Sequence, residues 1–100
     1  MHIVVSTLPL KRPLSPEEVA RLKRELPSVV GDRPGYREVY WAQTGETEAL
    51  TVSVWDSQAD ADAAFEAIRP WLGAMLGPIL AGAPQRRVAE VLVVHSTAGH

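Results

Sequence analysis

Two serines placed ahead of helical patterns constrain this chain more than any other feature. Ser15 is followed by Pro16 and, three positions on, by Glu18; Ser57 is followed at the same distance by Asp60. A serine oxygen can accept a free N–H of the first helical turn while an acid reaches back to the cap, so each stretch predicts a helix start closed by a capping box. After Ser15, Val19, Leu22 and Leu26 recur at helical spacing among Arg21, Lys23, Arg24 and Glu25. Pro27 predicts the end or distortion of that helix. After Ser57, Ala63, Ala64, Ala67 and Ile68 form a face with Phe65 beside it. Pro70 predicts a kink or restart before Trp71, Leu72, Met75 and Leu76 extend an apolar stripe.

Each helix is flanked by strand-like sequence. Residues 3–8 are apolar, β-branched and closed by Pro9; residues 36–42 mix aromatic and β-branched side chains after the turn chemistry of Pro34-Gly35. Thr44-Gly45-Glu46 predicts a hairpin tip. Residues 49–55 alternate, with Leu50, Val52 and Val54 on one face and Ala49, Thr51, Ser53 and Trp55 on the other. Residues 88–94 predict a last strand. Strand, helix, strand, strand, helix, strand, joined by right-handed crossovers, specifies an α+β ferredoxin-like βαββαβ fold. Its four-stranded antiparallel sheet would run final strand, first, third, second, with both helices on one face. The 100 residues fit one domain, 1–100.

That layout leaves one sheet face without helices, where polar residues are expected. Yet Ile3-Val4-Val5 and Val91-Leu92-Val93-Val94 supply apolar side chains to both faces. An uncovered apolar sheet marks an association surface, and a second copy packed sheet to sheet about a two-fold axis would bury it. Trp41, Trp55 and Val93 are the expected contributors to that homodimer interface. A monomer with scattered exposed apolar residues is the plainer alternative.

Composition removes several classes of function. The chain has no cysteine, which excludes disulfides, thiolate metal sites and a cysteine nucleophile. Ten basic and twelve acidic residues, spread along the chain, argue against a nucleic-acid binder. No segment approaches a membrane span and no signal peptide is recognisable, so a soluble cytoplasmic protein without a membrane partner is expected. The acids of Asp56, Asp60 and Asp62 lack the glycine turn and closing glutamate of a calcium loop. His2 and His95 would approach one another if the first and last strands paired along their length, but two ligands do not close a zinc sphere, so no metal site is expected.

The N-terminal first strand, Pro34-Gly35-Tyr36 leading into the second, and Val52-Ser53-Val54-Trp55-Asp56-Ser57 running straight into a helix resemble the antibiotic biosynthesis monooxygenase family. The resemblance covers nearly the whole chain in element order, through short motifs. It implies a dimeric α/β barrel of two facing sheets. Some members are cofactor-independent oxygenases of polycyclic phenols, some degrade haem, and many have no assigned reaction. The haem-degrading branch uses an asparagine on the first strand with a tryptophan and a histidine on the second helical region. Here those stretches hold Ser6 or Thr7, Ala64 or Phe65, and Ala74, so haem degradation is not expected. Trp71 is a loose match to the helix-2 tryptophan of the quinone-forming branch, whose asparagine has no counterpart in this sequence.

Trp71, Leu72 and Met75 could wall an aromatic-ligand pocket or simply fill the core. Thr7 and Tyr40 are the polar residues expected to converge on such a pocket, and Tyr36, Glu38 and Tyr40 should share one strand face. Arg86-Arg87 could attract an anion, although adjacent strand residues point to opposite faces. The expectation is a cofactor-free monooxygenase-like protein acting on an aromatic or polyketide-type small molecule, with catalytic residues unassigned. A non-catalytic binding or regulatory protein, and a cyclase or isomerase, remain open on the same fold.

Overall fold

β1 (His2–Pro9) is the sheet's spine, and its β-branched run pairs antiparallel on both sides. The computed structural model describes residues 1–95. After β1 come α1 (Pro16–Val30), β2 (Tyr36–Gly45), β3 (Glu48–Trp55), α2 (Gln58–Leu76), a 3-10 turn (Gly77–Ile79) and β4 (Gln85–Glu90). The order across the sheet is β2-β3-β1-β4, as expected for the ferredoxin-like arrangement. β1 pairs with β3 from His2 opposite Trp55 to Pro9 opposite Glu48, and with β4 from His2 opposite Glu90 to Thr7 opposite Gln85.

β4 ends earlier than the sequence predicts. Its last ladder bond runs from the Val91 N–H to the Met1 carbonyl at 2.9 Å, where its neighbour β1 begins. Leu92 and Val93, each 85% exposed, therefore project past the sheet instead of extending it. Nor does the structure bring His2 and His95 together: Glu90 stands opposite His2, and exposed His95 lies beyond the strand.

The first cap forms as predicted. Ser15 Oγ accepts from the Glu18 N–H at 3.1 Å and Glu18 Oε1 accepts from the Ser15 N–H at 2.7 Å. Arg12 Nη1, 2.7 Å from Glu18, is the main reason that this carboxyl is lowered to about 2. The second cap is only half a box. Ser57 Oγ accepts from the Asp60 N–H at 3.1 Å, but the shorter Asp60 side chain lies against Gly35 and does not reach back. Gly35 has φ of 76°, the left-handed region that favours glycine, and a Cβ there would collide with the Asp60 carboxylate.

Neither Pro27 nor Pro70 stops its helix. Both rings face solvent, and each helix holds buried side chains beyond its proline, Val30 in α1 and Met75 and Leu76 in α2. Packing of those side chains outweighs the hydrogen bond that a proline removes.

Both helices cover one sheet face, and the core beneath them is split. Leu8, Leu10, Leu22, Ala49, Met75, Leu76 and Ile79 form one cluster; Val4, Trp55, Ala61 and Ala64 form the other, with Tyr36 and Val88 against it. Trp41 and Trp55 belong to this covered face, which corrects their expected place on the open one. The alternation of β3 puts Trp55 on the same side as fully buried Ala49, and Trp41 stands opposite Thr51 on that side. The open face carries half-buried Ile3, Val5, Leu50, Val52 and Val54 with no helix above them.

Candidate ligand cavity

Between the two core clusters lies a cavity of about 320 Å³, at the lower end of the range for small-molecule sites. Its floor is best described by the rungs of the sheet. One rung runs Trp41, Thr51, Ser6, Arg86 across β2, β3, β1 and β4, and the next runs Val39, Ser53, Val4, Val88. All but Val88 line the cavity. Phe65, Ile68, Trp71 and Leu72 of α2 form the roof, and Leu26 and Val30 of α1 close the side. An aromatic ring, two hydroxyls and a guanidinium thus stand in line under an apolar lid.

The polar groups of the site differ in how they are engaged. Ser53 Oγ accepts from the Trp55 indole Nε1 at 2.9 Å, which fixes that ring. The Arg86 guanidinium lies 4.7 Å from the centre of the Phe65 ring, and Nη2 donates to Asp62 at 3.0 Å. Its Nε is buried and has no hydrogen-bond partner. Arg69 lies 5.9 Å from the same ring and pairs with Glu66 at 3.3 Å. Among the described residues, Arg69 and Arg86 are the ionisable members of the lining, which holds no histidine, tyrosine, lysine or carboxylate. The cavity can therefore stack a flat ring and offset negative charge, but its described residues present no side chain that takes up a proton at neutral pH.

Among the expected pocket residues, Trp71 lines the cavity, and its Nε1 donates to Glu25 Oε1 at 2.9 Å. That bond, followed by the Arg21 ion pair at 2.6 Å, lowers the Glu25 carboxyl below the usual range. Met75 is 5% exposed within the first core cluster and does not reach the cavity. Thr7 pairs with Leu50 on the open face, one residue out of phase with cavity-facing Ser6. Tyr40 is also on the open face, 56% exposed. Its hydroxyl donates to Glu38 at 2.6 Å, and this bond raises its pKa above the ordinary value. Tyr36 does not share that face, because a bulge at Arg37 turns it inward to meet Trp55 edge-on at 5.6 Å. Trp41 and Trp55 line the cavity, while Val93 is exposed beyond β4.

Arg86, Ser6, Thr51, Ser53 and Phe65 were not assembled by sequence reasoning. The usable signal was Thr51 and Ser53 beside Trp55 on the inward face of the most regular strand, since hydroxyls at core-facing positions need a reason. Arg86 and Arg87 do point to opposite faces, and the inward one joins the site. Among the described residues there is no cluster of three or more metal-ligating side chains, and no helix is long and apolar enough to cross a membrane.

No family model matches the chain, and no curated protein matches it in sequence. Solved structures do. A monooxygenase of Streptomyces coelicolor from the gene ActVA-Orf6, solved with nanaomycin D, superposes with a TM-score of 0.70 at 20% identity, over 95% of this chain and 92% of that one. The chain shares their fold. SnoaB, a cofactor-independent oxygenase of Streptomyces nogalater, gives 0.67 at 10% identity over 98% and 97% of the two chains. A structure from Chloroflexus aurantiacus bearing the antibiotic biosynthesis monooxygenase name gives 0.65 at 15% identity over 95% and 96%. The resemblance noted in the sequence motifs is supported by these structures, and at such identities it is a likeness of fold.

Proposed function

We propose that this chain is a cofactor-independent monooxygenase-like protein that binds an aromatic or polyketide-type small molecule in the cavity. The observation that carries the reading is the Arg86 guanidinium in the wall of an otherwise apolar, ring-lined chamber. A guanidinium placed there stabilises a phenolate or enolate more strongly than it would in water. Such an anion, formed by the acidity of the substrate itself, can give one electron to dioxygen. Recombination with superoxide places a hydroperoxide on the former methylene carbon, and loss of water leaves a ketone. Overall CH2 and O2 become C=O and H2O, with one oxygen atom kept and both hydrogens leaving in water. The likeness in fold to two Streptomyces oxygenases supports this class of chemistry.

The partner in this reading is a second copy of the chain, seated on the open sheet face. Five aliphatic side chains there need cover, and the two edges of that face differ in charge, with Glu38 on β2 and Arg87 on β4. A two-fold axis parallel to the strands brings the β2 edge of one copy over the β4 edge of the other.

A non-catalytic binding protein is favoured by a different observation, the absence of an acid–base side chain among the described residues of the lining. The same observation counts against a cyclase or isomerase. Oxygen uptake with 1,8-dihydroxyanthrone separates the readings. Saturable uptake above the buffer rate, with the anthraquinone as product, is expected. Tight binding of the anthraquinone without uptake leaves the binding protein, and neither result removes the cavity from consideration.

A further inference from the structure

Trp71 is the largest side chain of the cavity's roof and follows directly on Pro70. Its ring is held from the opposite helix. Nε1 donates to Glu25 Oε1 at 2.9 Å, and Glu25 Oε2 in turn accepts from Arg21 Nε at 2.6 Å. Among the described residues this is the side-chain hydrogen bond that joins α1 to α2, and the residue after Glu25, Leu26, lines the same cavity. An indole N–H is a donor with a single direction, so one acceptor at a fixed place selects one ring orientation. Without it the ring could turn about its χ2 bond, where the torsional well is broad.

We propose that Glu25 is a positioning residue, which sets the orientation of the Trp71 indole and thereby the width of the slot that admits a flat ring. The proposal rests on the reading of the cavity as a ligand site, and it assigns to α1 a part in specificity. Arg21 and Arg24 are the charges facing Glu25 on its own helix; from α2 the indole faces it, while Arg69 is engaged by Glu66 and Phe65. Glu25 therefore remains an anionic acceptor into acid, until its carboxyl is protonated below the usual range.

The test compares Glu25→Ala with Glu25→Gln, whose amide oxygen can still accept. In 1H–15N spectra the Trp71 indole resonance, assigned with Trp71→Phe, should be displaced and exchange faster in the alanine variant and stay near its native position in the glutamine variant. In the native protein it should move on acidification below the carboxylate range, and in Glu25→Gln it should not. The dissociation constant for 1,8-dihydroxyanthraquinone should rise about 3- to 10-fold in Glu25→Ala, the loss of one modest hydrogen bond, and return to within about 2-fold in Glu25→Gln. An unmoved indole resonance in Glu25→Ala overturns the proposal, as does a glutamine variant as impaired as alanine with native melting. If Glu25→Ala fails to fold, the glutamine variant and the acid titration of the native protein decide. If the native protein does not bind the anthraquinone, the ligand reading falls, and the indole spectra still decide whether Glu25 orients Trp71.

Discussion

Replacing Arg86 with methionine separates binding from folding, because the structure gives that side chain a large role in the first and a small net one in the second. Three contributions to stability change. The guanidinium over Phe65 is lost, about 0.5–1 kcal/mol for a cation–π contact at this exposure. The ion pair with Asp62 is lost, about 0.2–1 kcal/mol for a pair that is half in solvent. Against both, a buried Nε with no partner disappears, which relieves about 1–3 kcal/mol of desolvation. The methionine stem keeps the aliphatic packing, so the net change falls within about 2 kcal/mol of zero and leans towards stabilisation. Binding of an anionic ring loses a hydrogen bond to a charged group, about 1.5–3 kcal/mol, or roughly 10- to 150-fold in the dissociation constant. Quenching of tryptophan fluorescence by 1,8-dihydroxyanthraquinone reads the binding, and urea unfolding reads the stability. Methionine at position 86 that binds the quinone natively while losing more than about 3 kcal/mol of stability would refute the reasoning, because Arg86 would then be a structural residue.

Three further outcomes are expected. Ser15→Ala should cost about 1 kcal/mol and lower the melting temperature by about 4–8 °C, since it removes one arm of a complete capping box; calorimetry checks it. In Arg12→Ala the Glu18 carboxyl should rise from about 2 towards its ordinary value. Because the folded value lies below the unfolded one, the stability that Glu18 contributes is present at neutral pH and lost as pH falls towards about 2; without Arg12 that contribution should be smaller and its loss complete at a higher pH in acid unfolding curves. Val52→Lys, in the centre of the open face, should shift sedimentation from a dimer to a 10.9 kDa monomer while leaving far-ultraviolet dichroism unchanged; a native protein already monomeric at micromolar concentration would sink the dimer.

Element order, sheet order and the first helix cap were all readable in the residues, because each rests on local chemistry. Ser15 with Glu18 needs only its own turn, and the alternation from Ala49 to Trp55 needs only a strand. What could not be read depended on phase or on packing. Ile3-Val4-Val5 is apolar at every position, so nothing local says whether Ser6 or Thr7 faces the helices; the pairing with β3 decides for Ser6. The bulge at Arg37 divided Tyr36 from Tyr40 in the same way, through a register shift that has no strong sequence signature. The continuation of both helices past Pro27 and Pro70 was not legible because helix propensity is local, whereas Val30, Met75 and Leu76 hold their turns through distant contacts. Trp71 is legible because a large aromatic on a helix stripe is conspicuous; Arg86 is legible as an anion candidate but not as a neighbour of Ser6 and Phe65, which come from β1 and α2.

Among the described residues the ionisable lining of the cavity consists of arginines, and arginine stays charged throughout the range in which proteins work. The charge of the chamber is consequently fixed, as in a receptor with no titrating part of its own. If affinity for a phenol varies with pH near neutrality, the midpoint reads the acidity of the guest in its bound and free forms. Comparing guests of graded acidity would then show directly how far the chamber pulls a hydroxyl towards its anion.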